Sequence, residues 1–454
     1  MCINSLPFGV TTYHPFSRSF AKGLFFCLWL ILKPRLFVSG FAVLGLLIGN
    51  LPPANAQTFG EAANQRLNEI CKRPATDFVN PPEFVDPAAG ITPLGKICTF
   101  GNAPSSSTQN TGSQTQATPV LISQQQLRQA RTAEKHKTKS GASADATAEW
   151  GGGFSTFIVA GATSLRHDQN AFEQGYNSTI PSVTVGGDYR VSPKLVTGLA
   201  FNYFNQNGDF TGAGGFDVDS YSPLVYLNYT PFDRAFADVV VGYARQNTSY
   251  SRFDQIVKAG RDNIDSGVTD PLDPAFAAGP SLVSADFHRD LVSGYVQTGY
   301  DSQLGADDGF TVGPRIGLSV QHWMTEDYQE SSNTGLELRY REPDQTSVQT
   351  NVGFAVAWAG ATSIGTVSPY FVANWVHEFA NDQRTVHATF VQEPVPQQEF
   401  AFETEEPARD WANLGLGVSV LISPQLIAFA NVSTVQGNTN FESYGGTAGL
   451  RVDW

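Results

Sequence analysis

The chain has 454 residues, of which 15% are charged and 12% aromatic, with 43 glycines and a formal net charge of −14. Past residue 51 no apolar run is long enough for a membrane-spanning helix, which argues against a helical membrane protein. Scarce charge with abundant Gly and aromatics fits a β-barrel, and the acidic balance argues against a nucleic-acid partner.

The charge is unevenly placed. Residues 1–150 hold 13 Lys/Arg and 8 Asp/Glu, a net of +5, whereas residues 151–454 hold 15 and 34, a net of −19. The composition changes sharply near Trp150, where the main domain boundary is expected.

Residues 1–56 read as a signal peptide. Lys33 and Arg35 precede an apolar run from Leu36 to Leu51, and Ala54 and Ala56 form an A-x-A cleavage site before Gln57. An uncleaved anchor is the alternative, although the run is short for a span.

Residues 57–122 form a short segment and a linker. Cys71 sits on a helical-looking piece, Glu61–Arg73, and Cys98 follows at the end of Leu94-Gly-Lys-Ile-Cys. They are the two cysteines left after cleavage, and in an oxidising compartment they are expected to pair as a structural disulfide. The loop so closed would be worth roughly 3–4 kcal/mol through the unfolded chain. Residues 101–122, rich in Ser, Thr, Gln, Asn and Gly, read as a disordered linker.

Residues 123–149 open with strong helix formers behind a Ser123 N-cap, over 123–139, with five Lys/Arg, one Glu and hardly any apolar stripe. Such a helix cannot bury a face in a core. It suits either an acidic, polar cavity or solvent.

From residue 150 to 454 strict period-2 alternation recurs. In Ser182–Val191, Val183, Val185, Tyr189 and Val191 oppose Ser182, Thr184, Gly186, Asp188 and Arg190. In Phe310–Gln321, Val312, Ile316, Leu318 and Val320 oppose Gly313, Arg315, Gly317 and Ser319. At the end of the chain Ala448, Leu450, Val452 and Trp454 oppose Thr447, Gly449, Arg451 and Asp453. Taken alone, that last stretch also fits the half-buried edge strand of a soluble sandwich.

Further stretches of the same kind lie at 153–162, 194–204, 217–229, 235–248, 287–301, 334–341, 348–358, 366–379, 412–422 and 425–435, thirteen in all. Single-chain bacterial barrels have even strand numbers, so one stretch is superfluous, and 334–341 is the weakest.

Two features favour a membrane barrel over a sandwich. The second face is too polar for a soluble core, and aromatics (Tyr189, Tyr203, Tyr229, Trp323, Trp358, Trp375) stand at strand ends as interfacial girdles would. Short turns such as Ser192-Pro-Lys alternate with long loops, Arg252–Ala285 and about 380–409. The fold expected is therefore all-β, a transmembrane antiparallel up-and-down barrel of about 12 strands. Closure requires the last strand to pair with residues 151–162, because an open edge in lipid leaves backbone groups unsatisfied.

This region resembles the β-domain of the bacterial autotransporters, the type V secretion family of Gram-negative bacteria. The resemblance is carried by Val183-Thr-Val-Gly-Gly-Asp-Tyr-Arg190, Gly294–Tyr300, Ser368–Phe379 with its Trp-Val-His-Glu-Phe, and Ala448–Trp454. It implies a barrel in the outer membrane and a helix through the pore, the place taken here by 123–149. It also implies a terminal aromatic read by the barrel assembly machinery, which casts Ala448, Leu450, Val452 and Trp454 as an assembly signal. The family usually has a large secreted passenger, and here 57–122 stands in its place.

The inward Arg190, Arg315 and Arg451 and the acids Asp188 and Asp453 are the candidate pore-lining residues. They either meet the basic helix or a solute, or pair with one another to keep the interior solvated. No nucleophile motif accompanies the histidines, no phosphate loop or dinucleotide fingerprint occurs, and Asp262, Asp265, Asp270 and Asp273 lack calcium-loop spacing. No catalysis, cofactor or metal is therefore expected.

The function expected is an outer-membrane barrel, monomeric in lipid, that anchors or translocates its own N-terminal segment. That segment would be periplasmic, in the pore or at the surface. A solute channel and, more remotely, an outer-membrane hydrolase are the alternatives.

Overall fold

The computed structural model describes residues 57–73, 77, 94, 153–211, 214–232, 234–253, 282–304, 310–332, 335–380 and 382–454. The signal peptide, the linker 101–122, the basic helix at 123–149, Cys98 and the aspartates of the 252–285 loop lie outside the described residues.

One helix, α1 (Phe59–Ile70), precedes the strands. In chain order these are β1 (Phe154–His167), β2 (Tyr176–Ser192), β3 (Leu195–Phe210), β4 (Gly214–Phe232), β5 (Ala235–Phe253), β6 (Leu282–Tyr300), β7 (Ser302–Leu304), β8 (Phe310–Thr325) and β9 (Tyr328–Gln329). Then follow β10 (Leu338–Arg341), β11 (Gln345–Trp358), β12 (Gly360–Thr362), β13 (Gly365–Glu378), β14 (Thr385–Phe390), β15 (Phe400–Glu403), β16 (Asp410–Ser423), β17 (Leu426–Gln436) and β18 (Phe441–Asp453).

Twelve long strands, all but β7, β9, β10, β12, β14 and β15, pair antiparallel with their neighbours, and β18 closes on β1. The closing register runs from Ser155 opposite Asp453, through Ile158 opposite Leu450, to His167 opposite Phe441. The Trp454 N–H also donates to the Phe154 carbonyl at 2.9 Å. A closed barrel leaves no open edge, which is what a bilayer demands of strands.

The alternation decides what faces out. Ile158, Val185, Leu199, Val225, Val241, Val296, Ile316, Val352, Leu416, Val432 and Leu450 are all exposed on the outer face. So continuous an apolar belt is a membrane surface rather than a soluble one. Tyr189, Tyr229, Tyr300 and Trp454 flank it at the short-turn end, and Tyr221, Tyr243 and Trp375 at the loop end.

Beyond the loop-end girdle the same outer face turns polar. Arg245 pairs with Asp290 at 3.0 Å, and Asn205 donates to Asp217 at 3.0 Å. The strands therefore outrun the bilayer: β4 and β5 have 19 residues each, against the about 9–11 that cross it.

Two expectations fail. Trp323 is not a girdle residue; it faces inward, packed with Ala244 and Leu291. The stretch 334–341 is not a stave. Only Leu338–Arg341 is a strand, in a small sheet ordered β15-β14-β10-β9. Its alternation is real, since Leu336, Leu338 and Tyr340 are buried. They face an apolar core above the barrel instead of lipid, and period alone cannot tell the two environments apart.

Inside, apolar side chains gather at two levels. At the turn end Phe157, Val159, Leu224, Tyr226, Val240, Ile427 and Phe429 form one cluster. At the loop end a larger one joins Phe204, Phe216, Tyr250, Phe287, Tyr328 and Phe390 to α1. Between them the wall carries Thr184, Asn202, Ser220, Ser222 and Gln246, all buried.

Candidate functional site

Two sets of buried polar contacts stand out, one at each end of the barrel. The first holds the N-terminal segment at the loop-end mouth. Helix α1 starts at Thr58, whose Oγ1 accepts from the Glu61 N–H while the Thr58 N–H donates to Glu61 Oε2 at 3.0 Å, a reciprocal capping box. Phe59, Ala63, Leu67 and Ile70 fall on one helical face and are fully buried. Phe59 meets Phe402 edge-on at 5.0 Å and Phe400 at 6.4 Å. The Glu403 N–H donates to the Gln57 carbonyl at 3.0 Å, so the chain before the helix extends the edge of β15.

Charge locks the same contact. Arg66, almost wholly buried, bonds to Glu393, to Gln398 at 3.0 Å and to Glu69 at 2.7 Å. Arg73 also reaches Glu393, at 3.1 Å, and the carbonyls of Pro394 at 2.6 Å and Pro396 at 3.1 Å. The Leu94 N–H donates to Gln392 Oε1 at 3.3 Å. Two guanidinium groups on one buried carboxylate make Glu393 the pivot of the docking.

Below, the strand ends are tied to the small sheet. Arg252 forks onto Glu330 with two bonds of 2.7 Å, and Tyr250 donates to the same carboxylate at 2.7 Å. Tyr328 donates to Glu342 at 3.0 Å, with Arg289 at 3.4 Å.

Beside the mouth His167, Glu173 and Glu405 converge, with one ligating atom of each within 4.8 Å of the others. His167 Nε2 lies 2.7 Å from Glu405 Oε2. Burial and the Glu405 charge push Glu173 up to about 7. For His167 burial acts downward, but its bond to Glu405 and the charges of Glu405, Glu173 and Asp168 outweigh it and raise the imidazole above its ordinary value. These three residues are the described set that could hold a metal.

The second set lies at the closing seam. Arg451 on β18 forks onto Asp188 on β2 with two bonds of 2.8 Å, and its Nε bonds to Asp453 at 3.1 Å. Tyr226 on β4 donates to Asp188 at 2.8 Å. Arg451 sits opposite Phe157 and Asp188 opposite Ser155, so the pair reaches across β1 and ties both sides of the seam. Tyr226 can reach because it lies flat over Gly198, where a Cβ would collide with its ring.

Of the five inward charges, then, three converge: Asp188, Arg451 and Asp453. Arg315 stands apart, bonded to Asp301 at 3.2 Å and lying 4.8 Å over the Phe236 ring. Arg190 is exposed at the short-turn end, where the Arg190 N–H donates to the Gly153 carbonyl. Ala448, Leu450 and Trp454 face outward, Val452 is half-exposed, and Trp454 Nε1 donates to Thr156 Oγ1 at 3.1 Å. Cys71 caps the end of α1 and packs against the mouth cluster.

Sequence reasoning missed Tyr226, Arg66, Glu393 and the His167–Glu173–Glu405 group. Each joins residues far apart in the chain, so no local spacing announces it.

A family model described as "Autotransporter beta-domain" matches residues 156–268 and 271–433. Among curated proteins, the chain is 22% identical over 276 residues to "Esterase EstA" of Pseudomonas aeruginosa and of Pseudomonas putida, covering 60% of this chain. It spans only 38% of the length of those relatives. Among solved structures, the translocator domain of autotransporter NalP from Neisseria meningitidis aligns with TM-score 0.48 at 10% identity, covering 74% of this chain and 98% of that one. The beta domain of the Bordetella autotransporter BrkA aligns with TM-score 0.47 at 15% identity, covering 66% and 100%.

Proposed function

The chain belongs to the autotransporter family through its β-domain, an outer-membrane barrel, and on that footing we propose that the barrel carries its own N-terminal segment to the cell surface and keeps it there as a cap. The observation that carries this reading is the docking of α1 on β15 at the loop-end mouth, with Leu67 and Ile70 fully buried and Glu393 bridging Arg66 and Arg73. In bacterial barrels the long loops are extracellular and the short turns periplasmic, so a segment bonded to the loop sheet belongs outside.

The residues between α1 and β1 would then return through the lumen, with the basic 123–149 stretch inside an acidic barrel. A disulfide between Cys71 and Cys98 would close the loop that follows α1 and brace the segment within itself. Cleavage after Ala56 would leave Gln57, the residue bonded to β15, as the new N-terminus. Outer-membrane lipid surrounds the belt, the monomer is the functional unit, and the barrel assembly machinery reads the β18 face that ends in Trp454.

A mouth filled by α1 and its aromatic partners favours a capped anchor over an open solute channel. We assign no chemistry to the barrel; the esterase of the relatives' name is said of those longer proteins.

A protease site placed within 101–122 tests the reading. Protease added to intact cells should cut it. Protection in intact cells, with cutting only after the outer membrane is permeabilised, would place the segment in the periplasm and overturn the proposal.

A further inference from the structure

We propose that His167, Glu173 and Glu405 bind one divalent transition-metal ion of the zinc class at the barrel mouth. One imidazole nitrogen and two carboxylates form a borderline donor set of the kind that holds such ions, with a fourth position left for water.

Each ligand comes from a different place. His167 is the last residue of β1, Glu173 lies in the connection to β2, and Glu405 follows β15 by two residues. Since the Glu403 N–H holds Gln57, an ion here would clasp the β1–β2 connection to the segment that seats the N-terminal residues.

Burial gives a second, independent pointer. Glu173 and His167 are 1% and 2% exposed, yet Glu173 Oε2 has no hydrogen-bond partner. A carboxylate is seldom taken out of water with an oxygen left unpaired, because desolvation then goes uncompensated. Glu173 Oε1 accepts only a long bond, 3.4 Å, from the Glu405 N–H. Two carboxylates share this buried site, where their like charges repel. A dication answers both. Asp168 and Arg384 also act on the cluster, Arg384 being shared with Glu342.

The geometry is close to what an ion needs. The ring plane of His167 is set by stacking on Tyr176, with centroids 5.2 Å apart and planes 3° apart. With metal–ligand bonds of about 2.0–2.2 Å, the ligand atoms of a four-coordinate site stand about 3.3–3.6 Å apart, so the widest spacing must close by roughly an ångström and the His167–Glu405 contact must open. All three residues sit beyond the apolar belt: the neighbouring Arg166 faces outward and pairs with Asp168 at 2.9 Å.

The test uses the full chain, purified in detergent and stripped with chelator. Co²⁺ serves as the absorbing probe and Zn²⁺ as competitor, for wild type, Glu173→Gln and His167→Gln. The expected result is one equivalent in wild type whose affinity falls more than about 100-fold in either variant, since groups behind a ligand are already worth about 10–100-fold. Other histidines are present in all three proteins and cancel. Equal affinity and stoichiometry in wild type and Glu173→Gln, or no binding by wild type at micromolar ion, would overturn the proposal and leave His167 and Glu405 as a plain ion pair. Should His167→Gln fail to form a heat-modifiable barrel, the isosteric Glu173→Gln decides alone.

Discussion

Replacing Arg451 by Gln removes the cation from a contact buried on both sides, with side chains 1% and 3% exposed. Of its three hydrogen bonds Asp188 would keep only the one from the Tyr226 hydroxyl. Deleting one member of a buried pair costs about 3–5 kcal/mol, because the other charge is left uncompensated. Asp188→Asn should cost a similar amount. The double variant should cost much less than the two singles added, with a coupling of about 2–3 kcal/mol, the upper range for residues in one network. The assay is heat-modifiable migration of the detergent-solubilised barrel across a urea series, giving an unfolding midpoint for each of the four proteins. Arg190→Gln is the control: exposed at the short-turn end, it should shift stability by no more than about 0.5 kcal/mol. A coupling below about 0.5 kcal/mol would refute the idea that the Arg451–Asp188 pair locks the seam.

Deleting Trp454 should lower the yield of heat-modifiable barrel far more than Trp411→Ala near the start of β16; equal yields would remove β18 as the organiser of assembly. Leu67→Ala, in the buried face of α1, should loosen the cap by about 2–5 kcal/mol, read as faster proteolysis of the segment on cells, while the barrel keeps its heat-modifiable migration; unchanged proteolysis would contradict the docking. Gly198→Val should displace Tyr226 from Asp188 and weaken the barrel, whereas Gly437→Val, where no atom lies near, should cost only its backbone strain. N-terminal sequencing of the mature protein should begin at or near Gln57; an intact Met1 in the membrane fraction would contradict cleavage.

The barrel was legible because lipid on one side and a polar lumen on the other impose the same two-residue period on every stave. β18 is the clearest case, with its predicted closure on β1 and its outward Leu450 and Trp454 found in place. The period also misled, at 334–341 and at Trp323, because a buried core reproduces the signal that lipid makes. Strand ends were read too short, at 248 and 287 where the ladder of hydrogen bonds runs on to Phe253 and Leu282, because beyond the bilayer no lipid imposes an apolar outer face. The inward charges on β2, β8 and β18 could be named, but not who meets whom: Arg451 and Asp188 are 263 positions apart. The mouth was invisible for the same reason. Arg66 and Glu393 lie 327 positions apart and carry no local signature.

The central claim is that residues 57–73 sit on the outer mouth of a closed barrel, held by β15 and by Glu393. It is tested most directly by cutting the 101–122 linker with protease on intact cells and asking what then releases the N-terminal fragment. If the cap is docked, the cut fragment stays with the cells, and Glu393→Gln, which removes the carboxylate shared by Arg66 and Arg73, frees it. A fragment that leaves the cells upon cutting in the wild type would contradict the account.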